Sequence, residues 1–187
     1  AYAATKAASE TLVLAAPELS PIILRPRGLY GPGDTALLPR LLRAASRRPL
    51  PLMRGGVAAT DLTYIDDVAD AAITALRASA APSRIYNVSG GEALSVRTVA
   101  ERAGAMAGVP VRWRKLPWPL VLSATRASEA LCGAAPGRPE PNVTAYSAGL
   151  FAFRQTLSLD RITKELGWRP RVSFDDGLAR TFRELSK

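Results

Sequence analysis

The sequence predicts an α/β protein with a parallel sheet, on three observations. Helix-forming segments alternate with short, β-branched apolar runs along the 187 residues. Hydrophobic residues make up 48% of the chain, which is enough for a globular core. Only two runs, at 21–25 and 85–88, have the composition of fully buried strands, too few for a stable doubly wound sheet. We therefore expect the sheet to continue in sequence outside this chain.

Caps and breakers place the individual elements. Residues 2–16 are rich in Ala, Leu, Thr and Lys and end at Pro17, which predicts a helix. The strand after it ends at Pro26, because proline cannot continue a central ladder. Asp34 or Thr35 can cap the next helix, to about residue 46. Further helices are expected at 66–78, 95–108, 119–132, 160–167 and 174–187, with an extended piece at 62–65.

Composition excludes several kinds of site. One cysteine and no histidine rule out an internal disulfide, the usual zinc sites and a Ser-His-Asp triad, and we predict no metal site. The charge of +9 is scattered, and Arg40, Arg43 and Arg47 recur at helical spacing as a solvated face, so we predict no nucleic-acid partner. No apolar run reaches the roughly 20 residues that span a bilayer, so we expect no membrane insertion and a cytoplasmic location.

Tyr2 and Lys6 are the candidate catalytic residues. On a helix, residues four apart lie on one face, and an ammonium near a phenol favours the phenolate. Such a tyrosine can take a proton from an alcohol or give one to a carbonyl. The spacing alone is weak, since a surface tyrosine and lysine on any helix produce it by chance.

Five segments together are more specific, and they cover essentially the whole chain in order. They are YAATKAASE at 2–10, LRPRGLYGPGD at 24–34, TYIDDVA at 63–69, YNVSGGE at 86–92 and LGWRP at 166–170. This series resembles the extended short-chain dehydrogenases/reductases of the NAD-dependent epimerase/dehydratase type. The resemblance implies the C-terminal part of a doubly wound, Rossmann-like parallel sheet plus a small, mainly helical substrate-binding domain.

The resemblance also implies a domain organisation. Residues 1–110 would be the remainder of the Rossmann-like domain, interleaved with substrate-domain segments, and 111–187 mainly the substrate-binding and C-terminal helical region. The glycine-rich dinucleotide fingerprint, the residue that selects NAD or NADP and the family's catalytic Ser/Thr do not occur in this sequence. We expect the N-terminal dinucleotide-binding half to be missing, and this chain by itself to be inactive and to bind dinucleotide weakly.

Roles for individual residues follow from the same resemblance. Tyr2 would be the general acid/base, and Lys6 would lower its pKa and hydrogen-bond the nicotinamide ribose of NAD or NADP. The residues implied to line the nicotinamide end of the cofactor are Pro26, Arg27, Gly28 and Leu29. Tyr30 would either face substrate or pack in the core.

Three further expectations concern packing and assembly. Asp66 and Asp67 are expected to act as a helix cap and packing anchor rather than as substrate contacts. The helix of Tyr2 to Ala16 has an apolar face at Leu12 and Val13. In the family this helix often pairs with its twin, so we expect a homodimer, with burial against the chain's own core as the alternative.

Two segments favour the 3β-hydroxysteroid dehydrogenase-like branch. These are DLTYIDDV at 61–68 and EPNVTAY at 140–146. The apolar segment 116–122, which contains Trp118, suits a sterol-like or lipid-like small molecule, unless it only packs on the core. The expected function is hydride transfer between NAD(P) and a secondary alcohol or ketone on an apolar substrate. A nucleotide-sugar epimerase or dehydratase and a non-catalytic, cofactor-binding regulator remain the alternatives.

Overall fold

The computed structural model describes residues 2–79, 81, 83–134, 137 and 143–185. The helices are α1 (Tyr2–Leu14), α2 (Leu38–Arg47), α3 (Ile65–Arg77), α4 (Val96–Ala107), α5 (Trp118–Ala134), α6 (Ala145–Leu150), α7 (Asp160–Leu166) and α8 (Phe174–Leu185). The strands are β1 (Ile23–Pro26), β2 (Leu29–Tyr30), β3 (Leu50–Leu52), β4 (Ala59–Thr60), β5 (Thr63–Tyr64), β6 (Ile85–Val88), β7 (Leu94–Ser95), β8 (Trp113–Lys115) and β9 (Arg154–Gln155).

The strongest local signals are confirmed. β6 has the predicted bounds, and α4 begins after Ser95, whose hydroxyl accepts a hydrogen bond of 2.9 Å from the Thr98 amide. α4 and α7 each end at a glycine in the left-handed region, Gly108 at φ +66° and Gly167 at φ +67°. The exposed arginines of α2 and its buried Leu38 make the predicted amphipathic helix.

Other boundaries differ from the expectation. Asp34 caps α2 from outside it, because its carboxylate accepts from the amides of Ala36, Leu37 and Leu38, and the helix begins four residues later than the cap. α5 begins at Trp118 and is longer at both ends than predicted. Of the two-residue strands only β5 was predicted, within the extended piece at 62–65, and α6 was not predicted. Thr144 caps α6 by a reciprocal pair of bonds with Ser147. Residues 140–142 of the EPNVTAY segment lie outside the described residues.

The parallel pairing of β1 with β6 is the centre of the α/β architecture. It is in register from Ile23 opposite Ile85 to Pro26 opposite Val88. Pro26 is the last ladder residue, and the next amide, that of Arg27, donates to the Val88 carbonyl at 3.2 Å. Among the described residues, the other edge of β1 has no partner strand.

The main core lies where β2 and β5 meet α4 and α8. Tyr30 packs against Tyr64 and Phe174, with ring centroids 5.6 and 5.5 Å away. Leu178 and Val99 complete this cluster from α8 and α4. A second cluster joins β6 to α7 through Tyr86, Val88, Ile162 and Trp168.

Elements of the two predicted regions pair with one another. β8 lies parallel to β3, and β9 lies parallel to β4, so strands from beyond residue 110 complete ladders that begin before it. α8 also packs against α4. The division at 110 stays a prediction.

α1 is exposed along most of its length. The Leu12 side chain is 74% exposed and Val13 is 45% exposed. Packing of this apolar face against a second copy therefore stays a prediction. Within the described part of the chain, no helix is long and apolar enough to span a membrane.

Candidate active site

The candidate site lies at the carboxyl ends of β1 and β6. Ligands of open α/β sheets bind outside this edge of the strands. Arg27 follows β1 and Ser89 follows β6, and the register of Pro26 with Val88 places these two residues at the same level. The segment predicted to line a cofactor, 26–29, is therefore at the edge where the fold class binds its ligands.

One ion pair joins α1 to β1. Arg25 in β1 donates to Glu10 in α1 through Nε, at 2.8 Å to Oε1, and through Nη2 to Oε2. The hydrogen bonds from Arg25 lower the pKa of the Glu10 carboxyl, and those to Glu10 raise the pKa of Arg25. A helix of a doubly wound sheet runs antiparallel to the strand that follows it, so we expect the start of α1 at the carboxyl end of β1.

The position of Lys6 follows from that contact. One helical turn of about 5.4 Å separates Lys6 from Glu10, and a strand advances about 3.3 Å per residue. We therefore infer that Lys6 lies level with the residues just after Arg25, which is the edge where the site is. Tyr2 begins α1 one turn further on, and its side chain lies outside the described part of the chain.

The loop after β1 is held against β5 through its backbone. The Thr63 hydroxyl donates to the Arg27 carbonyl at 2.5 Å, and the Thr63 amide donates to the Gly28 carbonyl at 3.0 Å. Gly28 has φ +60°, and a Cβ there would lie 2.7 Å from Leu62 Cδ2 and 2.8 Å from the Asp61 carbonyl oxygen. Only glycine fits this position without displacing the loop. Sequence reasoning missed the role of Thr63, although a threonine directly before the Tyr-x-Asp-Asp segment was a usable signal.

The Arg27 side chain contacts β9. Its Nη2 donates to the Gln155 amide oxygen, and its Nε is buried without a hydrogen-bond partner among the described residues. The strand is anchored just beyond Gln155, where buried Asp61 accepts a bond of 2.6 Å from the Leu157 amide. Sequence reasoning found neither Gln155 nor Asp61, because each bridges segments at least 96 residues apart.

Leu29 and Tyr30 point to different environments. Leu29 is 41% exposed, whereas Tyr30 is 3% exposed and lies in the core. The Tyr30 hydroxyl donates to the Phe174 carbonyl at 3.4 Å, and burial, followed by nearby carboxylates, raises its pKa. A substrate contact by Tyr30 stays a prediction, and the packing alternative accounts for its present surroundings.

Trp118 packs against an aromatic ring just before β9. It is half-buried at the start of α5, and its ring meets the Phe153 ring edge-on at 5.1 Å. The Arg54 guanidinium lies 4.6 Å from the Phe153 centroid. Phe153 and Gln155 lie two residues apart, so one short segment contacts both Trp118 and Arg27.

Asp66 and Asp67 do not reach this edge through any described contact. Asp67 is buried, and its carboxylate accepts from the amides of Arg171 and Val172 at 2.9 and 3.2 Å. Asp66 is exposed and lies 3.9 Å from Arg180. The predicted packing role is confirmed for Asp67.

Comparison with known proteins relates the chain to one family. Residues 1–89 match the sequence model of the NAD dependent epimerase/dehydratase family. The match covers slightly under half of the 187 residues. The matched range contains the α1 pair and the loop at the carboxyl edge described above.

Curated relatives align along nearly the whole chain. The chain is 31% identical to the uncharacterized protein YbjS of Escherichia coli K12, covering 96% of the chain and 55% of that protein. It is 34% identical to a 2-alkyl-3-oxoalkanoate reductase of Stenotrophomonas maltophilia, covering 96% and 56%. A sterol-4-alpha-carboxylate 3-dehydrogenase of Candida albicans is 28% identical, covering 95% of the chain and 54% of that protein. A dTDP-L-rhamnose 4-epimerase of Burkholderia thailandensis is 26% identical, covering 95% of the chain and 44% of that protein. The chain spans about half the length of these relatives.

Solved structures show the fold. A dTDP-glucose 4,6-dehydratase of Bacillus anthracis in complex with NAD aligns with a TM-score of 0.64 at 18% identity, covering 99% of this chain and 51% of that one. This likeness supports the α/β, Rossmann-like assignment, with the described strands as part of a larger sheet.

Proposed function

We propose that an enzyme containing this chain transfers hydride between NAD or NADP and a secondary alcohol or ketone on an apolar substrate. The observation that carries the proposal is the pair Tyr2 and Lys6, one turn apart on α1, together with the contact of Glu10 with Arg25 that joins α1 to β1. The match of residues 1–89 to the NAD dependent epimerase/dehydratase family supports the same assignment.

Each residue has a proposed task. When bound, the nicotinamide supplies or accepts the hydride at the substrate carbon. Tyr2 holds the proton that moves to or from the substrate oxygen, and the Lys6 ammonium favours the phenolate and hydrogen-bonds the ribose. The cofactor-lining residues are Pro26, Arg27, Gly28 and Leu29. The tight approach at Gly28 and the exposed apolar Leu29 suit a flat ring at this edge.

Two relatives narrow the substrate class. A 2-alkyl-3-oxoalkanoate carries its ketone on the carbon next to the one that bears the carboxylate. A sterol 4-carboxylate that is dehydrogenated at position 3 has the same relation between the two groups. We propose that this enzyme acts on a lipid-like 3-oxo or 3-hydroxy acid, with the Trp118 and Phe153 rings against its apolar part.

The catalytic assignment is tested by Tyr2→Phe in an enzyme that contains these residues. General acid–base catalysis contributes about 10²–10⁴-fold, so kcat for NAD(P)H formation from a 2-alkyl-3-hydroxyalkanoate should fall by about that factor. Tyr146→Phe is the matched control, because Tyr146 is 72% exposed on α6, and it should leave kcat unchanged. Equal rates in Tyr2→Phe and the unaltered enzyme would contradict the assignment.

The alternatives give different outcomes in the same assay. A nucleotide-sugar epimerase, as the rhamnose epimerase relative suggests, would convert its substrate without net NADH formation. A cofactor-binding regulator would keep its biological output in Tyr2→Phe although reduction is abolished.

A further inference from the structure

Two arginines at the end of β1, Arg25 and Arg27, differ in the acceptors to which their guanidinium groups donate. Nε and Nη2 of an arginine form a fork that matches the two oxygens of a carboxylate. In Arg25 both nitrogens of this fork donate to Glu10, one to each oxygen. In Arg27 only Nη2 has a partner, the amide oxygen of Gln155, and Nε has none among the described residues.

This arrangement leaves Arg27 without charge neutralisation. Arginine stays charged at every relevant pH. In the described part of the chain no carboxylate lies within ion-pair distance of Arg27, whereas Arg25, Arg97, Arg102 and Arg171 each have one. A buried N–H without an acceptor destabilises a folded protein unless a ligand supplies one.

The backbone of Arg27 is fixed more firmly than its side chain. Its amide donates to the Val88 carbonyl and its carbonyl accepts from the Thr63 hydroxyl, so the direction in which the side chain leaves the sheet edge is set. Gln155, in contrast, belongs to a two-residue strand and is half-buried, with a neutral side chain that rotation can withdraw.

We propose that the Arg27 fork binds the carboxylate of the substrate, and that Gln155 holds the fork in place and is displaced when the acid enters. The proposal rests on the proposed function for the substrate's identity, since a 3-oxo or 3-hydroxy acid places its carboxylate beside the reacting carbon. Arg27 is then a specificity-determining residue, which selects acids over neutral ketones of the same shape.

Binding measurements test this without depending on turnover. The probes are a 2-alkyl-3-hydroxyalkanoate and its methyl ester, and Kd is measured by calorimetry on an enzyme containing these residues, without cofactor. Hydrogen bonds to a charged group predict about a ten- to hundred-fold preference for the acid. Arg27→Gln should remove this preference, and Arg97→Gln, which alters an exposed arginine on α4, should keep it.

Changes at Gln155 separate a binding role from a structural one. Gln155→Glu places a carboxylate of the protein in the fork and should abolish the preference for the acid while the enzyme stays folded by circular dichroism. Gln155→Ala vacates the fork and should keep or increase the preference. Equal affinity for acid and ester in the unaltered enzyme, or an unchanged preference in Gln155→Glu, would overturn the proposal.

The same fork could be filled by a phosphate of the cofactor instead. In that case Arg27→Gln and Gln155→Glu would weaken NAD or NADP binding while the ratio of acid to ester affinity stayed constant. This result would also overturn the proposal that Arg27 binds the substrate carboxylate. Absence of hydride transfer combined with a retained acid preference would refute the proposed function but leave the Arg27 site standing.

Discussion

α1 and α8 are held in different ways, and they contact different strands, β1 for α1 and β2 and β5 for α8. α8 places Phe174, Leu178 and Thr181 in the core, each no more than 3% exposed. α1 leaves Leu12 and Val13 exposed and contacts β1 through the ion pair of Glu10 with Arg25. The described contact that joins the helix of the proposed catalytic pair to β1 is thus an ion pair at the surface, whereas the helix with no proposed chemistry is held by burial.

The largest expected effect comes from emptying the core at α8. Phe174→Ala should reduce the free energy of unfolding by about 3–5 kcal/mol, because it removes a ring packed on Tyr30 and leaves a cavity. Leu12→Ala on α1 should change it by less than about 0.5 kcal/mol. Urea denaturation measures both. Similar losses in the two variants would show that the helices do not differ in this way.

A smaller effect is expected where the segment before α8 is tied to α3. Asp67→Ala leaves the amides of Arg171 and Val172 without their acceptor and should cost about 1–3 kcal/mol in the same assay. Asp66→Ala is the matched control, because its partner Arg180 is 3.9 Å away at the surface, and it should cost about 0–1 kcal/mol. A loss at Asp66 as large as that at Asp67 would contradict the assignment of Asp67 as the anchor.

The smallest effect concerns how the stability of α1 depends on pH. The pKa of Glu10 is lowered from 4.5 in the folded chain, chiefly by the hydrogen bond from Arg25. Its contribution to stability is therefore present above the unfolded value of 4.5 and lost as the pH falls through the lowered folded value. Amide hydrogen exchange should show the α1 amides losing protection in that window. The Glu10→Gln variant should not show this pH-dependent loss of protection. An identical pH profile in the variant would exclude the ion pair as the cause of the loss.

The parts of the fold that sequence predicted are those with local causes. Ser95, Gly108 and Gly167 bound their helices through contacts within a turn, and β6 is a short run with three apolar residues out of four. Most of the two-residue strands could not be predicted, since β4, for example, exists only because β7 and β9 pair with it.

The site was predictable to a similar depth. The Tyr2–Lys6 spacing and the glycine of the Arg27–Gly28 loop are visible in the sequence. The Gln155 contact with Arg27 is not, because it joins residues 128 positions apart through a fold that no local pattern specifies. The sequence left both substrate contact and core packing open for Tyr30 for the same reason, since the burial of its side chain depends on Phe174 at the far end of the chain.

The short segment from Phe153 to Gln155 has a consequence for how a protein containing this chain could change its substrate preference. Two alternate side chains of the segment contact Trp118 and Arg27, and in the described contacts the segment does not touch α1. Under the proposed function, exchanging these three residues therefore offers a route to new substrate preferences that leaves the helix of Tyr2 and Lys6 unchanged, so that selectivity and chemistry can evolve on separate parts of one chain.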